Sequence, residues 1–286
     1  MATMRQIRMR IRVAKNIQQI TKAMKMVATA RFKRAQERVQ QAEPYAVKMD
    51  QIIRELVGCG VEVEHPLLAR RPQNRIGVLI VTAERGLCGS YNTNVIRKAI
   101  EFLHPFPADS LRLYMVGKKG YTFFNRRGYP IVQTFAIDSS GVSFDNVNAV
   151  SRAIRSAYES GEIDALHIVY AQFVNVITQR PTVLSLLPLQ PPSDEGAGPA
   201  TDYIFEPNPQ VLLSSLLPRY LITQIYQVLL EANASELGAR ITSMSSATDN
   251  AGKMISSLTL SLNRARQAGI TTELAEIMGG AEALKG

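Results

Sequence analysis

The loop Arg85-Gly86-Leu87-Cys88-Gly89-Ser90 is where this chain comes nearest to a chemical motif. It follows an apolar, β-branched run at 76–83 and precedes a helical pattern from about Thr93 to Leu103. A dinucleotide fold binds phosphate at such a strand-to-helix turn. Here the GxGxxG spacing is missing, and GxxxxGK[ST] occurs nowhere. Only Glu101 and Asp109 stand near the place of a ribose-binding acid. The loop therefore reads as a tight turn that needs Gly. Ser139, Ser140 and His167 sit in no nucleophile-elbow or triad context. Cys59 and Cys88 are too few for a disulfide framework and lack a metal-ligand spacing with the three His, so they read as reduced thiols. No catalytic residue, metal or cofactor site is legible. The expectation is a protein that is not an enzyme.

The elements around that loop alternate. Strand patterns at 76–83, 111–116, 129–135 and 165–173 are separated by helical patterns at 93–103, 121–126 and 147–160. That order argues for an α/β sheet with parallel crossovers. Residues 182–188 and 202–206 read as edge strands, and Gln190–Pro199 as an exposed loop. The two ends differ. Residues 1–57 contain no Gly and one Pro, and residues 219–286 contain no Pro. Ile7, Ile11, Ala14, Ile17, Thr21, Met24, Ala28, Phe32 and Ala35 open one seam, which continues to Leu56. Leu217, Leu221, Ile225, Val228, Ala232, Leu237, Arg240, Met244, Ala247, Ala251 and Met254 open another, which continues to Ala265. Steps of three and four, with one of five from Ala232 to Leu237, keep each seam on one face. Two seams at opposite ends pair only if the middle folds back. We expect a long antiparallel coiled coil with an inserted α/β domain, divided as 1–57, 58–209 and 210–286. At 1.5 Å per residue the second helix outlasts the first, leaving Gln267–Gly286 with its own row of Ile270, Leu274, Ile277, Ala281 and Leu284. That row calls for an external socket.

The chain has 286 residues and a net charge of +9. Residues 1–57 hold 13 Lys and Arg against four acids, and the remainder holds 20 of each sign. The whole excess thus lies on the first helix. A one-sign face suggests a polyanion or a protein with acidic loops as partner. The Arg-rich start mimics a transit peptide, but the seam continues through it without a junction. No stretch approaches the roughly 18 apolar residues that span a bilayer.

Residues 16–30, NIQQITKAMKMVATA, resemble the opening of the gamma subunit of rotary F-type ATP synthases. So do RGLCGSYN at 85–92, SLLPL at 185–189, SELGARITSMSSATDNA at 235–251 and, most specifically, NRARQAGITTELAEIMGGAEAL at 263–284. The matches run nearly the full length in order. Gly238 and Ile241 depart from the family's more usual Ala and Met. A Gly inside a helix costs roughly 1 kcal/mol relative to Ala.

The resemblance implies a Rossmann-like insert and a non-catalytic rotor shaft. Its partners would be a hexamer of alpha and beta subunits, an epsilon subunit and a c-ring moved by protons or sodium. Neither nucleic acid nor a small-molecule substrate is implied. The implied place is peripheral, on the cytoplasmic face of a bacterial membrane. The region around 190–200 is short and lacks Cys, unlike the plant-type dithiol insertion. By the same resemblance Lys22, Met24, Lys25, Arg240, Arg266, Gln267, Thr271 and Glu273 would meet the hexamer. Tyr203 and Phe205 would meet the c-ring and epsilon. A nucleic-acid-binding coiled coil would explain the basic arm but not the neutral, apolar C-terminal rod. A dinucleotide enzyme would explain the sheet but lacks the fingerprint.

Overall fold

The structure, a computed structural model, describes residues 3–58, 65–137, 141–189 and 209–283. Cys59, Ser139, Ser140, the segment at 190–199 and the strand expected at 202–206 lie outside these residues. The chain forms two compact units, Met1–Val27 with Ile241–Gly286 and Ala28–Arg240. Helix α1 runs Met4–Gly58 and helix α5 runs Pro209–Ala283. Between them come β1 (Ile76–Val81), α2 (Tyr91–Leu103), β2 (Leu111–Val116), α3 (Lys118–Asn125), β3 (Ile131–Phe135), α4 (Phe144–Glu159), β4 (Ala165–Phe173) and β5 (Gln179–Leu187). The expected class is the observed one: long terminal helices around a central α/β sheet.

In the Ala28–Arg240 unit the strand order is β3-β2-β1-β4-β5. β1 pairs in parallel with β2 and β4, β2 with β3, and β5 closes antiparallel on β4. β1 is buried on both faces. Leu79 and Val81 point into a core built with Ile53 and Leu56 of α1, Val150 and Ile154 of α4 and Leu221 and Ile225 of α5. Val78 and Ile80 point to the other side, against Val95 and Ala99 of α2 and Phe124 of α3. That two-sided burial is why the run at 76–83 is continuously apolar instead of alternating. Each fully buried Ile or Leu contributes about 2 kcal/mol. The starts of β1 and β4 are pinned by a polar clamp. Asp164 Oδ2 accepts from the Arg75 amide at 2.9 Å, and Oδ1 from the Arg75 guanidinium at 3.1 Å. Burial alone would raise the Asp164 carboxyl, but the Arg75 bonds overcome it and hold it below the ordinary value.

Four elements start earlier than their patterns, among them α4, which begins at Phe144 after Ser143, whose hydroxyl accepts from the Asn146 amide at 3.2 Å. α2 starts at Tyr91 because that ring is buried and its hydroxyl donates to the Ala232 carbonyl at 3.2 Å. α3 starts at Lys118, directly after Gly117 at φ +88°. β5 reaches back to Gln179 because the turn from Asn175 to Thr178 lets it pair as far as Phe173.

In the other unit α1 and α5 pair antiparallel. Thr21 and Thr248 share a hydroxyl hydrogen bond of 2.8 Å, and Gln18 lies against Gly252. Facing residue numbers sum to 269 or 270, which sets Met4 opposite residue 265 or 266. The seams hold with two corrections. Ile17 is exposed and Gln18 turns inward, and Met254 is exposed while Ile255 turns inward. A Cβ at position 252 would come within 3.1 Å of Gln18, so the glycine makes room for the long amide. At 254 the step from buried Ala251 is four instead of three. No helix among the described residues is long and apolar enough to cross a membrane.

Candidate functional site

The turn after β1 is shaped by backbone and not by a ligand cradle. Leu87 takes φ +65° and Gly89 φ +57°, with Leu87 exposed and Cys88 buried. Burial pushes the Cys88 thiol up, and the Asn92 amide donates to its sulfur at 3.1 Å. At the next turn the amides of α3 are already used. Lys119 N–H donates to the Ala83 carbonyl at 3.1 Å and Gly120 N–H to Thr82 Oγ1 at 2.9 Å. A Cβ at Gly117 would sit 2.1 Å from the Thr82 carbonyl, so the glycine lets the strand end plug the helix start. His167 lies tilted against Phe102, ring centroids 4.9 Å apart, and burial lowers its pKa.

The same turn is fastened to α5. Arg240 donates to the Gly86 carbonyl at 3.3 Å and pairs with Glu236 at 2.6 Å. Burial raises the Glu236 carboxyl, and Arg240, its strongest opposing neighbour, only partly offsets that. With both side chains more than four-fifths buried, Arg240 holds a loop carbonyl and a carboxylate at once. RGLCGSYN and SELGAR, 154 positions apart at Gly86 and Arg240, thus form one clamp. Arg240, an expected contact residue, thus also has an internal role.

Lys22 is exposed and Met24 half-buried. Lys25 is half-buried and donates to Ser245 Oγ at 3.0 Å. Arg266, Gln267, Thr271 and Glu273 are all exposed, and the Thr271 hydroxyl donates back to the Gln267 carbonyl at 3.0 Å. Past residue 266 only Gly269 is even partly covered among residues whose side chains are described. Ile270, Leu274, Ile277 and Met278 are 50%, 55%, 67% and 72% exposed. Tyr203 and Phe205 lie outside the described residues.

A second apolar row escapes the seam pattern. Met9, Val13, Ile17, Ile20 and Val27 of α1 are all about half exposed or more. Their own steps of three, four and seven are legible in the sequence, but a single apolar face per helix leaves them out. Both rows, on α1 and on the end of α5, are strips of large side chains that no element among the described residues of their own unit covers. Such strips suit contact with another molecule.

Comparison with known proteins bears on both ends and on the sheet. The family model described as ATP synthase matches residues 3–284. The chain is 46% identical over 285 residues to the ATP synthase gamma chain of Desulfitobacterium hafniense. It is 44% identical over 285 residues to that of Desulforamulus reducens, and in both cases the whole of both chains is covered. A chain in the solved mitochondrial ATP synthase of Euglena gracilis has a TM-score of 0.69 at 19% identity, covering 98% of this chain and 94% of that one. One in the central stalk and c-ring of the Tetrahymena thermophila mitochondrial ATP synthase has a TM-score of 0.60 at 22% identity, covering 80% and 99%.

Proposed function

The chain belongs to the gamma-chain family of F-type ATP synthase, and from that premise we propose how its surfaces serve the rotor role. Gamma is the non-catalytic central shaft of that complex. It couples ion flow through the c-ring to conformational cycling of the catalytic beta subunits, with alpha, beta, epsilon and the c-ring as partners. The complex is membrane-associated, and we place this subunit peripherally, on the cytoplasmic face of a bacterial membrane. We divide the chain by role into a shaft of 1–57 and 210–286 and a foot domain of 58–209.

The observation that carries the site reading is the apolar row beyond Arg266. Burying Ile270, Leu274, Ile277 and Met278 would contribute roughly 1.5–3 kcal/mol each. Only a sleeve of other subunits can supply that, and Arg266, Gln267, Thr271 and Glu273 interleave with the row as its polar contacts. Lys22, Met24, Lys25 and Arg240 form the hexamer contacts nearer the foot, where positive charge meets acidic loops. Tyr203 and Phe205 meet the c-ring and epsilon. Residues 219–286 carry six basic and six acidic residues, a weakly charged surface suited to turning.

Deletion of residues 270–286 tests this reading. The isolated truncated chain should melt as the full chain does, since the deleted row is uncovered. Assembly with the alpha–beta hexamer should weaken and torque should fall. Undiminished torque from an assembled truncated rotor would overturn the socket.

A further inference from the structure

The α/β unit carries a basic district distinct from the first-helix excess. From Ser110 to Ile137 the chain has five Lys and Arg and no acid, although residues 58–286 are neutral as a whole. Four of the five, Lys118, Lys119, Arg126 and Arg127, line one solvent-facing cavity of about 330 Å³ between α2 and α3. All four are exposed, and none joins an ion pair recorded among the described residues. The one acid in the lining, Glu84, accepts from the Ile137 amide at 3.2 Å.

Two features mark the cavity as more than a solvated face. The first turn of α3 holds two lysines and no acid, which opposes the helix dipole at the end where carboxylates are favoured. Arg127 lies 3.7 Å over the Phe123 ring. A stacked guanidinium keeps its planar fork ready for a bidentate carboxylate. Ile96 and the uncovered part of Phe123 provide an apolar floor beside the charges. The α3 amides that would suit a phosphate are spent on Thr82 and Ala83. Recognition here rests on side-chain cations and an apolar floor.

We propose that this cavity docks a carboxylate-rich segment of a partner protein. Its Asp or Glu residues meet Lys118, Lys119, Arg126 and Arg127, and one apolar side chain rests on Ile96 and Phe123. The proposal goes beyond the rotor reading and does not depend on it.

The test uses the purified full chain and a fluorescently labelled peptide of Asp, Glu and Leu, read by anisotropy. The peptide should bind. Arg126→Gln with Arg127→Gln should weaken it about tenfold or more. Lys118→Gln with Lys119→Gln should also weaken it while leaving the melting temperature unchanged or higher, because the dipole clash is relieved. Phe123→Ala should weaken the Leu-containing peptide more than an all-acidic one. Arg5→Gln with Arg8→Gln, remote in sequence and equal in charge, should leave binding unchanged. Equal loss from the Arg5 and Arg8 pair would reduce the effect to general attraction and overturn the site. So would no binding at all, equal binding of an Asn/Gln/Leu peptide, or displacement by inorganic phosphate or ATP at micromolar concentration.

Discussion

Glu231 is the residue where burial and charge conflict most plainly. Burial raises its carboxyl, a bond from Tyr170 opposes that, and Oε2 finds no partner among the described residues. A carboxyl whose folded value stands above its unfolded value, near 4.5, contributes fully below that pH. The contribution is lost as pH rises through the folded value. Glu231→Gln should therefore stabilise the chain by about 1 kcal/mol at neutral pH. It should also flatten the fall in melting temperature between pH 5 and pH 8. The flattening should be partial, because Glu236 shifts in the same direction. A lower melting temperature for the variant at pH 8 would show that the charged form is held by the fold. Single residues of this kind were not legible beforehand. Glu231 reads as one more helix acid, and Arg240 as one more seam position, until Tyr170 and Gly86 are brought beside them.

At the scale of elements, Gly238 sets local helix propensity against packing. A Cβ there would meet the Val176 carbonyl oxygen at 3.3 Å and Val176 Cα at 3.4 Å. Val176 lies in the β4–β5 turn, between exposed Val174 and Ile177. An exposed turn can shift by the few tenths of an ångström required. Against that stands a helix gain of roughly 1 kcal/mol from Gly to Ala. Gly238→Ala should give a net stabilisation of about 0.5 kcal/mol, measured by urea unfolding. A lower midpoint would mean that the turn is held rigidly against α5. β2 at 111–116 and β4 at 165–173 match their sequence patterns to the residue, because strands buried inside the sheet carry near-continuous apolar runs, broken here only at Arg112, His167 and Gln172. The starts of α2, α3 and β5 did not, because each is set by a partner distant in sequence or by a glycine turn. Gln18 displaced Ile17 from the seam for a related reason: Gly252 opens a space that hydropathy cannot anticipate.

For the molecule as a whole, the charge excess on α1 should act on coupling more than on folding. Lys22, Arg31, Lys33 and Arg34 are exposed and crowd like charges at helical spacing. Such pairs destabilise by tenths of a kcal/mol. Changing these four to Gln should leave the melting temperature of the isolated chain unchanged or slightly raised. Lys25 is kept, since it bonds Ser245. In the assembled enzyme, proton pumping per ATP should fall, and added salt should lower the wild type toward the variant. A variant that melts several degrees lower yet pumps normally would make these charges structural. Helix periodicity, strand runs, charge placement and the unpaired apolar tail follow from the sequence alone, because each depends on residues only a few positions apart. The clamp of Arg240 on Gly86, the plug of Thr82 and Ala83 against α3 and the four-cation cavity exist only in the fold. Each joins residues far apart in the chain or depends on the exact seating of one element against another, which no local pattern encodes.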